Sequence, residues 1–107
     1  MAAKSARATA SSKDLKSRFT VRVELHSAAA QGYSALDDAM EAVGFSRMIG
    51  PSDDPYLLPQ AEYRILAKRT RAQVRDLVRK VAASLDAACS VLVTEGSCSW
   101  YNLPRPK

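Results

Sequence analysis

The stretch TRAQVRDLVRKVAASLD, Thr70–Asp86, decides the fold. Val74, Leu77, Val78, Val81 and Leu85 recur at steps of three and four, which lays them along one side of an α-helix as a single apolar stripe. Arg71, Arg75 and Arg79 climb another side at steps of four, with Lys80 beside them. Thr70 is a favourable N-cap. Gln73, three residues on, completes a capping box in which each side chain accepts the other residue's backbone N–H. A helix of this kind must bury its stripe, so the rest of the chain is read for a surface to receive it.

That surface is a sheet. From Arg18 to His26 the chain alternates, with Phe19, Val21, Val23 and Leu25 to one face and Arg18, Thr20, Arg22, Glu24 and His26 to the other. Period two over this length, rich in β-branched residues, is a strand with one wet face. Ser34 is expected to cap a first helix with Asp37 and Asp38 in its first turn, where the helix dipole favours them. Leu36, Ala39, Met40 and Val43 form its buried side and Gly44 its stop. Phe45–Ile49 reads as a second strand. The three prolines of Gly50–Pro59 predict a loop. Alternation resumes over Ala61–Lys68, and Ala88–Glu95 is a β-branched fourth strand, with a short fifth expected at Trp100–Leu103. The order β-α-β-β-α-β predicts an α+β, ferredoxin-like two-layer sandwich, with two helices on one face of a four-stranded antiparallel sheet.

With 107 residues, one core is expected. The net charge of +5 is uneven: five Lys or Arg face one acid before Phe19, whereas the remaining residues carry eleven bases and ten acids. The high isoelectric point is therefore mostly a property of the first residues, and says little about the folded body. Residues 1–17 read as a disordered basic arm and residues 18–107 as a single domain. The arm lacks the apolar centre of a secretory signal, and its Ala, Ser, Arg and Lys also suit a short organellar transit sequence. No apolar run reaches the ~18 residues of a membrane span. Cys89 and Cys98 have no metal-ligand spacing, which predicts reduced thiols in the cytoplasm and no metal or other cofactor.

Two clusters can carry chemistry. Arg64, Lys68, Arg69, Arg71, Arg75, Arg79 and Lys80 are opposed in their span only by Asp76. They form either a phosphate-binding surface for RNA or a solvated helix face. No aromatic residue occupies the wet positions of the strands, which argues against base stacking on the open sheet. Glu24 and His26 lie two apart on one strand face. They can act as acid and base on a ribose hydroxyl, with Arg22 or Arg64 neutralising phosphate, or serve as ordinary cross-strand pairs. As the only histidine, His26 excludes a two-histidine ribonuclease mechanism. Neither cysteine has a basic neighbour in sequence to activate it. Trp100, Tyr101 and Leu103 either seal the end of the sheet or offer an interface to a protein partner, including a second copy of the chain.

The strand Val21-Arg22-Val23, then Tyr33, Leu36, Met40, Val43 and the Phe45-Ser46 pair, resemble the GhoS-type antitoxins of type V toxin–antitoxin systems. Tyr63 through Ala72, with Val74, Leu77 and Val78, extends the match over about Phe19–Val93. The resemblance implies a ferredoxin-like fold related to the CRISPR-adaptation nucleases, and activity on a toxin messenger RNA. The shared positions are core positions, so no catalytic residue is carried over from it. Three functions are expected from these readings: a small cytoplasmic RNA-binding, antitoxin-like regulator using the basic helix face; a weak endoribonuclease using Glu24 and His26; or an interaction or dimerisation module without nucleic acid.

Overall fold

The computed structural model describes residues 15–27 and 30–106. The expected basic arm lies outside the described residues as far as residue 14, and Ser17 already opens the first strand. The elements in order are β1 (Ser17–Leu25), α1 (Ala30–Ala42), β2 (Met48–Ile49), β3 (Tyr56–Leu57), β4 (Glu62–Ala67), α2 (Arg71–Ala83) and β5 (Cys89–Glu95). The main sheet has three strands in the order β4-β1-β5, with β1 antiparallel to both neighbours, and β2 and β3 form a separate two-stranded sheet.

The alternation of β1 holds in full. Phe19, Val21, Val23 and Leu25 are buried, while Arg18, Arg22 and Glu24 are exposed. Leu36 and Met40 of α1, Phe45, Tyr63 of β4, and Val74, Val78 and Ala82 of α2 close over them in one core. Each large aliphatic side chain buried in this way contributes about 1.5–3 kcal/mol. The α2 stripe is shifted from its expected course. Val74 and Val78 are buried, Leu77 and Val81 pack at the margin, and Ala82 takes the place expected of Leu85. Leu85 is exposed because the helix ends at Ala83, and Ser84 and Leu85 turn the chain towards β5. The capping box forms as its residues predict: Gln73 N–H donates to Thr70 Oγ1 at 3.1 Å, and Thr70 N–H donates to Gln73 Oε1 at 2.8 Å.

Three expectations are corrected. First, α1 begins at Ala30 rather than at Ser34, so Asp37 and Asp38 lie in its middle, away from the positive end of the dipole. Asp37 is there for a different reason, since its carboxylate accepts the buried Tyr63 hydroxyl at 2.6 Å and pairs with Arg47 at 3.4 Å. The C-terminus of α1 is as read. Gly44 adopts a φ of +98°, its N–H reaches Glu41 C=O, and Phe45 N–H reaches Met40 C=O, which is a Schellman motif. Val43, expected inside, is left at the exposed turn.

Second, the strand expected over Phe45–Ile49 does not join the sheet as a full fourth member. It makes one antiparallel bridge, Ser46 to Arg64, with N–H···O distances of 2.8 and 2.7 Å, and then leaves β4. Met48–Ile49 pairs instead with Tyr56–Leu57, inside the region expected to be a loop. Third, Trp100–Leu103 forms no strand. The chain beyond it runs alongside β3, where Leu57 N–H donates to Pro104 C=O at 2.8 Å.

Candidate functional site

The face of the sheet turned away from the core carries the even-numbered residues of β1 and their cross-strand partners. Thr20 lies between Arg64 and Thr94, Arg22 between Glu62 and Leu92, and Glu24 opposite Ser90. Leu66 and Leu92 are 51% and 63% exposed there, so the face is part charged and part apolar.

At one end of this face the register brings Ser90 to His26. The imidazole Nε2 lies 2.7 Å from Ser90 Oγ and 3.9 Å from Glu24 Oε1. No sequence pattern marks Ser90, since it is 64 residues from His26 and only the β1–β5 register joins them. A nucleophilic triad holds its carboxylate on the imidazole nitrogen opposite the hydroxyl. Here both partners approach the same nitrogen, so the geometry is that of a hydroxyl–imidazole pair with a carboxylate beside it. Both His26 and Glu24 side chains are open to solvent.

At the other end, Arg64 is drawn into the sheet face. Its Nη1 donates to Thr20 Oγ1 and to Gly96 C=O at 3.2 Å, and lies 2.9 Å from Cys98 Sγ, which in turn is 3.1 Å from Thr20 Oγ1. Cys98 therefore has the basic neighbour that its local sequence lacks. The same geometry separates Arg64 from the rest of the expected basic cluster, because α2 packs on the opposite face of the sheet, among the odd-numbered residues of β1.

The remaining basic residues stay together. Lys68 and Arg69 occupy the turn into α2, and Arg71, Arg75, Arg79 and Lys80 are exposed along the helix. Arg71 meets Glu95 at 3.9 Å and Arg75 meets Asp76 at 2.9 Å, both in open solvent. Exposed pairs of this sort are worth about 0–1 kcal/mol and give way readily to a better anion.

Asp86 ties this architecture together behind β5. It accepts Ser27 N–H at 2.6 Å and Ala88 N–H at 3.0 Å, clamping the end of β1 to the start of β5. The Ser27 N–H, followed by that of Ala88, holds its carboxyl below the usual carboxylate range. A carboxyl lowered in the folded state adds stability that is complete above its unfolded pKa of about 4 and fades as pH falls through its folded value. The melting temperature of the Asp86→Asn variant should accordingly fall less than that of the parent between pH 6 and pH 3. Parallel melting curves against pH would refute the clamp.

Trp100 lines a hollow with Arg18 and Arg64 at one end of the main sheet, and Tyr101 and Leu103 follow it in the chain. Trp100 packs on Tyr56, with ring centroids 5.9 Å apart and planes tilted by 53°. Arg105 stacks over Tyr56 at 3.9 Å and pairs with Asp54, so the C-terminal segment is fastened to the β2–β3 hairpin. Leu103 is half-buried and Tyr101 is 92% exposed.

In comparison with known proteins, the chain matches no protein-family model and no curated protein. No described helix is long and apolar enough to cross a membrane.

Proposed function

We propose that the chain is a ferredoxin-like, cytoplasmic RNA-binding protein of antitoxin-like regulatory character, and that RNA lies along the exposed basic side of α2. For the fold, support comes from the β4-β1-β5 order, with the Ser46 bridge standing where a fourth strand would pair with β4. Support for the function is the basic run itself: six exposed cations from Lys68 to Lys80, with Asp76 the single acid among them. A helix side of that kind neutralises successive phosphates without reading bases, so it supplies affinity and little sequence choice.

Replacing Arg71, Arg75 and Arg79 together by Gln tests this. For single-stranded RNA the logarithm of affinity falls with the logarithm of salt at about 0.7 per phosphate contact. Loss of three contacts should flatten that slope by about 2, and weaken binding on the order of a hundred-fold at 50 mM salt. Filter binding of a single-stranded oligoribonucleotide between 50 and 200 mM salt measures both. An unchanged slope and affinity would dismiss the reading.

A further inference from the structure

We propose a second ligand site on the far side of the molecule from α2: a nucleotide pocket in which Trp100 meets the base and Arg18 and Arg64 hold the phosphate. It stands on different residues from the α2 surface and does not require that surface to bind RNA.

The pocket exists because the sheet is short of a strand. After the single Ser46 bridge the chain leaves β4, and the C-terminal segment returns on the other side of the opening. Two adjoining hollows of about 330 and 270 Å³ remain, sharing Arg18, Ile49, Gly50 and Arg64. The larger is closed by Cys98 and Trp100. Concave sites of a few hundred cubic ångströms are the size that small ligands occupy.

The lining sets the chemistry of the ligand. Arg18 and Arg64 are diagonal neighbours across β1 and β4, since Arg18 faces Leu66 and Thr20 faces Arg64. No carboxylate lines either hollow, and among the described residues neither guanidinium takes part in an ion pair. Arg64 commits only Nη1, to Thr20, Gly96 and Cys98, so among the described residues the rest of its planar fork makes no hydrogen bond, and such a fork matches phosphate oxygens in pairs. Two like charges on one hollow with no acid between them call for an anion.

Trp100 makes that anion a nucleotide rather than a bare phosphate. Trp100 is 39% exposed as a residue while its ring packs against Tyr56, which leaves surface for a flat ring. The indole also packs against the chain at Gly50. At its φ of +101° an added Cβ would meet Trp100 Cζ2 at 3.4 Å. Base stacking on an aromatic side chain tolerates any base, so the pocket favours nucleotides as a class. The wet face of the strands has no aromatic of its own, and tertiary structure supplies one from the C-terminal segment.

Trp100 is the only tryptophan, so its fluorescence reports on this pocket alone. The full chain is titrated with AMP, UMP, adenosine and ribose 5-phosphate. Saturable quenching by AMP and UMP is expected, with adenosine at least ten-fold weaker and ribose 5-phosphate giving no quenching. Arg18→Gln, a change at an exposed position that alters no core side chain, should weaken AMP at least ten-fold while leaving the melting temperature unchanged. The triple α2 variant should bind AMP as the parent does, which separates failure here from failure of the RNA surface. Absence of saturable quenching by either mononucleotide would overturn the proposal. Equal affinity for adenosine and AMP, or parental AMP affinity in Arg18→Gln, would overturn it as well.

Discussion

Phe19→Ala should cost about 3–5 kcal/mol of folding stability, the range expected for truncating a fully buried aromatic ring. Phe19 is wholly buried and sits on the central strand, opposite Ile65 on one side and Glu95 on the other. Removing its ring leaves a cavity that neither neighbouring strand can close, because both are held by their ladders to β1. A domain of this size has a total stability of roughly 5–15 kcal/mol, so the variant should populate unfolded states at room temperature. Urea unfolding should show a lower midpoint with an unchanged slope. A loss below about 1 kcal/mol would mean that β1 does not run through the core as described.

Asp37→Ala should cost about 2–3 kcal/mol although Asp37 is itself only half-buried, because of what it leaves behind. The Tyr63 hydroxyl would lose its acceptor inside the core, and Arg47 would lose its carboxylate while still donating to Leu58 C=O at 2.5 Å. Burial, then the hydrogen bond to Asp37, raises the Tyr63 phenol above its ordinary range. The unfolded phenol ionises near pH 10, so the stability Tyr63 contributes is complete below about pH 10 and is lost as pH rises beyond it. Tyr63→Phe should therefore lose less stability than Asp37→Ala at neutral pH and should blunt the alkaline decline. Chemical denaturation at pH 7 and pH 10.5 measures both. Equal stability of Asp37→Ala and the parent would show that the Tyr63–Asp37–Arg47 cluster does not hold α1 to β4.

These two positions differ in how far the sequence foretold them. The place of Phe19 follows from alternation within nine residues, a pattern that survives without knowledge of its partner. With Ser34 as a cap, the helix dipole would account for Asp37. Its actual partner, Tyr63, lies 26 residues away, and no local pattern points to it. The β2–β3 hairpin leaves no local signal for a related reason. Two-residue strands between prolines carry no periodicity, and Arg105, Trp100 and Pro104 hold them from almost fifty residues downstream.

The candidate sites divide in the same way. The exposed run from Lys68 to Lys80 is legible because helical spacing places Arg71, Arg75, Arg79 and Lys80 on one element, with Lys68 and Arg69 in the turn that leads into it. His26 beside Ser90, and Arg64 beside Thr20 and Cys98, were not legible. A slip of two residues between β1 and β5 keeps every buried residue inside, yet it would exchange every partner on the open face.

By itself, then, the sequence determined the period and buried face of β1, the capped helix α2 with Val74 and Val78 inward, and the stop at Gly44. Those features depend on residues within one or two turns of one another. Only the tertiary structure decided which side chains meet across the sheet, that the fourth strand shrinks to one bridge, and that an indole from the C-terminal segment stands beside two arginines. Burial constrains the face on which a residue lies, while register and chain return fix its neighbour, and those are properties of the assembled backbone.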